Sequence, residues 1–391
     1  MPVKIGHYFD RPDRLTKTVD QIPLPQASPG TERSLTVVRY RAASARPFVY
    51  LQTGLHADEL PGMLVLDHLM RKLDEADARG MLEGQIVIVP VANPIGLSQR
   101  ISRSHIGRFD LDSGGNFNRH YPDIAGPVGD LVDGKLTQSA EGNVARIRSA
   151  MARYLASLDD IRDEADELRL CLMRLSCEAD IALDLHCDSE SIMHLYFLQE
   201  HWPQAEDLHR LMASECTLLA NKSGGEPFDE ALSTPWLELQ ARFPDLPIPP
   251  ACLACTVELR GQHDVSDDLA ARDADALFRY LQHQGVLSGD PGPLPAPVSS
   301  ATPLSGVDMI EAPVPGIVSF KADPGERVKA GTVVAEILDP TTGERTEVTT
   351  RQTGVVFGRR AHRLVRRGDI FIKVAGEKTL EGREGQLLTS R

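Results

Sequence analysis

A chain of 391 residues, 41% hydrophobic and 25% charged, has an ordinary globular composition and is long enough for more than one domain. Its net charge of −14 argues against nucleic acid or an anionic membrane as partner, and an anionic substrate would need arginines of its own at the site. No stretch reaches the roughly 18 apolar residues of a membrane span, Met1 to Arg14 is broken up by charged residues and reads as no signal peptide, and the six cysteines form no disulfide framework, so a cytoplasmic location is expected.

Residues 1–34 read as an extended lead-in punctuated by Pro23, Pro25 and Pro29. The runs 35–40 and 48–52 read as strands, and Leu60, Met63, Leu64, Leu69 and Leu73 mark a helix to about residue 78. Gly80 and Gly84 bracket the turn into a third strand, 85–91, which ends at the turn signal Asn93-Pro94-Ile95-Gly96. A long irregular segment, 97–122, carries Arg100, Arg103, Arg108 and Arg119, with Gly114 and Gly115 beside Asn116 and Asn118; it reads as a substrate-binding loop or as a solvated basic one. Residues 139–178 form a helical pattern with a break near Asp159, and its face of Val144, Ile147, Met151, Leu155 and Leu158 is expected to pack in the core.

Strands at 181–188 and 193–198 follow, then a helix from about 204 to 220. The Gly- and Pro-rich stretch 222–250, with an isolated Trp236, reads as a lid or rim loop. A strand at 253–259 carries Glu258, and Cys252 and Cys255 at its start read as packed thiols, because no second pair completes a zinc site. Ser266 caps a helix reaching Gly285. Strands alternating with helices predict an α/β domain over 1–287, with a mixed, mainly parallel sheet flanked by helices. Residues 288–304 read as a Pro/Ser-rich linker, 305–376 as a small all-β domain with an internal repeat, and 377–391 as a polar tail.

His56 and Glu59 stand where a strand gives way to a helix, three residues apart, and together could hold one divalent cation. A lone H-x-x-E is common by chance and otherwise reads as a polar helix start. His186 changes the balance, because it ends a second apolar strand, at the edge where open α/β sheets bind ligands. His56, Glu59 and His186 make the His₂Glu set of a catalytic zinc site that keeps an open position, one ion per chain. Asp184 could orient an imidazole from behind.

With Asn118-Arg119 and Glu258 added, the chain resembles the succinylglutamate desuccinylase and aspartoacylase family of the zinc carboxypeptidase-like superfamily. The pattern G-x-H-x-x-E, N-R, D-L-H and E covers residues 54 to about 260 in order. The tail is similar to a biotinyl/lipoyl barrel-sandwich, without the Met-Lys-Met of a carrier. The resemblance implies that His56, Glu59 and His186 hold Zn²⁺ and that Glu258 is the general base. It also implies that Arg108 stabilises the oxyanion, with Arg103 or Arg100 next in line, and that Asn118 and Arg119 clamp a substrate carboxylate. Relatives supply a tyrosine from the C-terminal domain, yet none follows Tyr280; His362 or the pair Arg359-Arg360 would have to serve instead. Of the other histidines, His120 and His194 lie closest to these motifs.

The expected activity is zinc-dependent removal of an N-acyl group from an amino acid or related small carboxylate. A zinc carboxypeptidase for short peptides is the alternative, and a non-catalytic binding or carrier protein a third reading. The expected partner is a small-molecule substrate, neither nucleic acid nor membrane, and assembly as a homo-oligomer is left open.

Overall fold

The computed structural model describes residues 16–159, 163–202 and 204–383. The Met1 to Arg14 segment and the end of the expected polar tail lie outside these residues.

Strands β1 (Lys17–Pro23), β2 (Ser34–Arg41) and β3 (Phe48–Thr53) lead into helix α1 (Pro61–Ala78) and strand β4 (Gln85–Val89). Asn93 then caps a one-turn helix α2 (Pro94–Ser98) through its side chain, and β5 (Arg100–Ile101) and β6 (Ser104–His105) form a small hairpin. Helices α3 (Ala125–Val132), α4 (Ala140–Ser157) and α5 (Glu164–Ser176) precede strands β7 (Ile181–Asp188), β8 (Glu190–Ser191) and β9 (His194–Phe197). After these come α6 (Glu206–Leu211), β10 (Cys216–Leu219), α7 (Phe228–Arg242), β11 (Leu253–Gly261), α8 (Asp267–His283) and β12 (Ala301–Pro303).

Nine of these strands form one sheet in the order β1-β2-β4-β3-β7-β11-β9-β10-β12, mostly parallel from β4 onward, with antiparallel pairing at β1/β2, β2/β4 and β9/β11. Central strands are apolar on both sides because helices cover both faces. In β3, Val49 and Leu51 join the core under α1, α6 and α8, while Tyr50 points to the core under α3, α4, α5 and α7. The same alternation puts Ile181, Leu183 and Leu185 of β7 on the first face and frees Asp184 and His186 to share the second with Ala182.

The remaining strands are β13 (Val307–Glu311), β14 (Gly316–Phe320), β15 (Arg327–Val328), β16 (Val333–Leu338), β17 (Arg345–Thr349), β18 (Gly354–Arg359), β19 (Leu364–Val365) and β20 (Ile370–Ala375). They form two antiparallel sheets, β13-β20-β18-β15 and β17-β16-β14-β19, around Val334, Ile337, Val356 and Phe371. The sequence repeat is visible here: β14, β15 and β16 correspond to β18, β19 and β20, and each half lends its short strand to the sheet of the other. This region is stitched to the α/β part of the chain twice. β8 pairs with β18, and Ile192, Leu218 and Leu304 pack with Val307, Phe357 and Ala375.

Four expectations from sequence need correction. The lead-in is not merely extended, since β1 pairs along its length with β2 and ends at Pro23, where a missing N–H costs an edge strand little. The helix expected to 220 stops at Leu211; Ala213 turns with a positive φ, and Cys216–Leu219 become a strand between β9 and β12. The segment 222–250 is not an open loop but contains the fifteen-residue α7. Pro235 inside it argues for a break, yet Phe228, Leu232, Trp236 and Leu239 are all buried on one face, and that burial outweighs the proline penalty. The end of the expected linker also belongs to the large sheet, as β12.

Among the described residues no helix is long and apolar enough to cross a membrane. All six cysteines are buried free thiols, Cys252 and Cys255 included.

Candidate active site

The loop between β3 and α1 is shaped by packing rather than by chance polarity. Gly54 takes a φ of 70°, and a side chain there would run into Met63 of α1. Ala57 donates its N–H to the carbonyl of Gly107 at 2.9 Å, and a Cβ on Gly107 would lie 2.2 Å from the Asp58 nitrogen. The basic loop therefore rests directly on the H-x-x-E turn, which brings Arg108 to it. Pro61 opens α1, where a proline's fixed φ suits the first turn.

His56, Glu59 and His186 are buried together, with one ligand atom of each within 4.8 Å of the others. The two Nδ1 atoms converge on the carboxylate: His56 Nδ1 lies 3.0 Å from Glu59 Oε1 and His186 Nδ1 2.8 Å from Glu59 Oε2. Both Nε2 atoms point away and find oxygen partners, His186 with Asp184 at 2.8 Å and His56 with Asn116 Oδ1 at 2.9 Å. A hydrogen bond behind each ring fixes the tautomer that leaves the other nitrogen free to coordinate. Two imidazole nitrogens and a carboxylate, already gathered and supported from behind, fit a zinc ion with an open coordination position.

The electrostatics agree with that grouping. Burial would raise Glu59, but His56 and His186 hold its carboxyl well below the usual range. Burial works to lower His186 as well, and Asp184 and Glu59 outweigh it, so that imidazole sits well above its ordinary value. His56 goes the other way, lowered to about 4 by burial and by Arg108. Arg108 Nη1 lies 3.1 Å from both Glu59 Oε1 and His56 Nδ1.

Glu258 stands on β11 in register with His186. Burial and the neighbouring Glu59 push its carboxyl up to about 8, and its Oε2 is buried without a partner. Asn118 is buried, its Oδ1 accepting from the Phe228 N–H at 2.8 Å and its Nδ2 3.5 Å from His186 Nε2. Arg119 is buried against Gly225, donates to the Asn118 carbonyl at 2.6 Å, and keeps its Nε unpartnered. Arg108, Asn118, Arg119, Glu258 and the three candidate ligands all line one cavity of about 640 Å³.

The structure does not bring every sequence candidate there. Arg100 and Arg103 are exposed on the β5–β6 hairpin, and neither they nor His362 line the cavity. Arg359 and Arg360 do line it, but Arg359 is held by Glu190 and Asp323, and Arg360 by Asp369. His120 is an exposed residue of positive φ, and His194 is buried between Tyr196 and Phe357 with its Nδ1 on the Ile192 carbonyl. The cavity also contains residues that the sequence reading passed over. Asp188 lies two positions beyond His186, so strand alternation could have found it; Tyr196, Asp229, Glu230 and Lys373 lacked any local signal. Asp229, at the start of α7, is pushed up to about 7 by burial and by Glu230.

The sequence profile described as the succinylglutamate desuccinylase/aspartoacylase catalytic domain matches residues 45–284. The chain belongs to that family. No curated protein matches it. Among solved structures, a succinylglutamate desuccinylase/aspartoacylase family protein of Shewanella amazonensis is 27% identical with a TM-score of 0.81, covering 92% of this chain and 98% of its own. A counterpart from Shewanella frigidimarina is 25% identical with the same TM-score, over 92% of this chain and 97% of its own. The ectoine utilization protein EutE (DoeB) of Ruegeria pomeroyi, 18% identical with a TM-score of 0.66, shares the fold over 93% of this chain and 96% of its own. The family is one of hydrolases with the zinc carboxypeptidase-like fold, and here that fold carries a C-terminal antiparallel β region.

Proposed function

We propose that this protein is a zinc-dependent amidohydrolase that removes an N-acyl group from an amino acid or a similar small carboxylate. The observation that carries the reading is the meeting of His56, Glu59 and His186 with the unpartnered carboxylate oxygen of Glu258 and the guanidinium of Arg119 in one cavity. Zinc, when bound by His56, Glu59 and His186, supplies Lewis-acid polarisation and an acidified water. Glu258 takes a proton from the attacking water and passes it to the departing amine nitrogen, so that the C–N bond breaks to a carboxylic acid and a free amine. Arg108 offers N–H donors to the carbonyl oxygen as negative charge develops there. Arg119, already desolvated, offers a planar fork to the substrate carboxylate.

One wall of the cavity comes from the C-terminal β region, through Met309, Phe371 and Lys373 among others. A site walled in this way supports a small acylated amino acid over an extended peptide. The test is amine release from a panel of N-acyl amino acids and dipeptides by zinc-loaded protein, beside Glu258→Gln. Release from the N-acyl amino acids that the variant abolishes, with its zinc content unchanged, is expected. Release from dipeptides alone would replace this reading with the carboxypeptidase one, and loss of zinc from the variant would remove Glu258 from the role of base.

A further inference from the structure

Asp184, His186 and Asp188 alternate along one side of β7, and the last of them has no part in the scheme above. Its carboxylate lines the cavity and is ion-paired through Oδ2 with Nζ of Lys373, which comes from β20 of the C-terminal region and lines the same cavity. The two side chains are 20% and 23% exposed, so the pair faces the cavity rather than the core. Asp188 Oδ1 accepts from the Ser189 N–H at 2.7 Å. Opposite it stands Gly358, where a Cβ would lie 3.0 Å from Asp188 Oδ2, so β18 omits a side chain where this carboxylate passes. The next residues are held in the same way: Ala361 donates to Ser189 Oγ at 3.2 Å, Arg359 and Arg363 clamp Glu190, and Ile192 donates to the Phe357 carbonyl at 3.1 Å.

The charges of the two cavity walls differ. The part of the lining that precedes residue 290 carries six carboxylates and only the guanidiniums of Arg108 and Arg119. The C-terminal region answers with Arg359, Arg360, Arg367 and Lys373 against Glu311 and Asp369. Of these cations, Lys373 is the one whose partner belongs to the facing wall and itself lines the cavity.

We propose that Lys373 is a positioning residue that neutralises Asp188, so that a cavity dominated by carboxylates admits an anionic substrate. The proposal rests on the reading above, in which the substrate carries a carboxylate. It gives the C-terminal region a task in substrate selection that needs no tyrosine. An uncompensated anion about 12 Å from the bound carboxylate, at an effective dielectric of about 20, should weaken binding roughly tenfold.

Zinc-loaded wild type, Lys373→Met, Asp188→Asn and the double variant are compared on N-acetyl amino acids, with KM and kcat determined separately. Lys373→Met should raise KM about tenfold by the same Coulomb argument while kcat changes little, and the double variant should bring KM most of the way back. Lys373→Arg should behave like the wild type. A merely structural role would lower kcat and stability in both single variants and would not be rescued by the second substitution. An unchanged KM in Lys373→Met overturns the proposal; so does a raised KM that the double variant leaves raised, which would mean that Lys373 meets the substrate itself. Should Lys373→Met fail to fold, Asp188→Asn decides alone: its freed ammonium should lower KM, and an unchanged or higher KM counts against the idea. If the wild type hydrolyses nothing, the catalytic reading fails separately. Calorimetric binding of an N-acetyl amino acid to the same proteins then carries the test with the same expected pattern, and absence of binding to the wild type overturns both.

Discussion

Asp184→Asn isolates what the support behind a candidate metal ligand is worth. His186 Nε2 lies 2.8 Å from Asp184 Oδ2, with the side chains 3% and 1% exposed, so water cannot replace the lost partner. The substitution keeps the shape and an acceptor oxygen but turns a charge-assisted hydrogen bond into a neutral one. The difference between the two kinds of bond is about 1–2 kcal/mol. At about 1.4 kcal/mol per decade this is roughly a 5- to 30-fold loss of zinc affinity, overlapping the lower part of the range of about 10- to 100-fold typical of such partners. Competition against a chromophoric chelator would measure it, with thermal melting of the metal-free protein as the control for folding. A folded variant that binds zinc within twofold of the wild type would refute the reasoning, because Asp184 would then be only a buried neighbour of the site.

Other consequences follow from packing and charge. Gly62→Ala would place a Cβ 2.1 Å from Thr53 Oγ1 and 3.1 Å from Leu185 Cβ. It should destabilise the protein by about 1–3 kcal/mol in urea unfolding, and a neutral result would show that α1 can shift freely on the sheet. Trp236→Ala empties a fully buried site in α7 and should cost about 3–5 kcal/mol; a loss below that of an exposed substitution would mean that α7 does not depend on this anchor. Glu190 is raised by burial but held lower overall by Arg359 and Arg363. Its contribution to stability is therefore present above the unfolded carboxyl value, about 4.3, and is lost as pH falls through the lower folded value. Glu190→Gln should reduce stability at pH 7 by less than about 1 kcal/mol, since the pair is solvated, and the difference should close once the pH has fallen below the folded value; a gap that persists there would point to packing rather than charge.

Local chemistry explains why the α/β pattern and the candidate ligands could be picked out from the chain. The strands under His56, His186 and Glu258 are largely apolar runs because both faces of the sheet are covered, and each candidate residue stands at or near the end of such a run, where the pattern breaks. Asp184 and Asp188 share the face of His186 by the period of two alone. The repeat in the tail was equally visible, since glycine turns separate its short strands.

Elsewhere, contacts distant in sequence decided. Helix α7 exists despite Pro235 because Trp236 and its neighbours find a core, and Cys216–Leu219 are a strand because β9 and β12 lie on either side. Arg108 rather than Arg100 or Arg103 reaches the site because Gly107 lets its loop lie against Ala57 and Asp58. Above all, nothing near Lys373 in the sequence announces a role. Its meeting with Asp188, 185 positions away, depends on β18 pairing with β8 and on a glycine left at the crossing point. Periodicity reports which side of an element a residue faces; which element stands opposite is set only when the cores close.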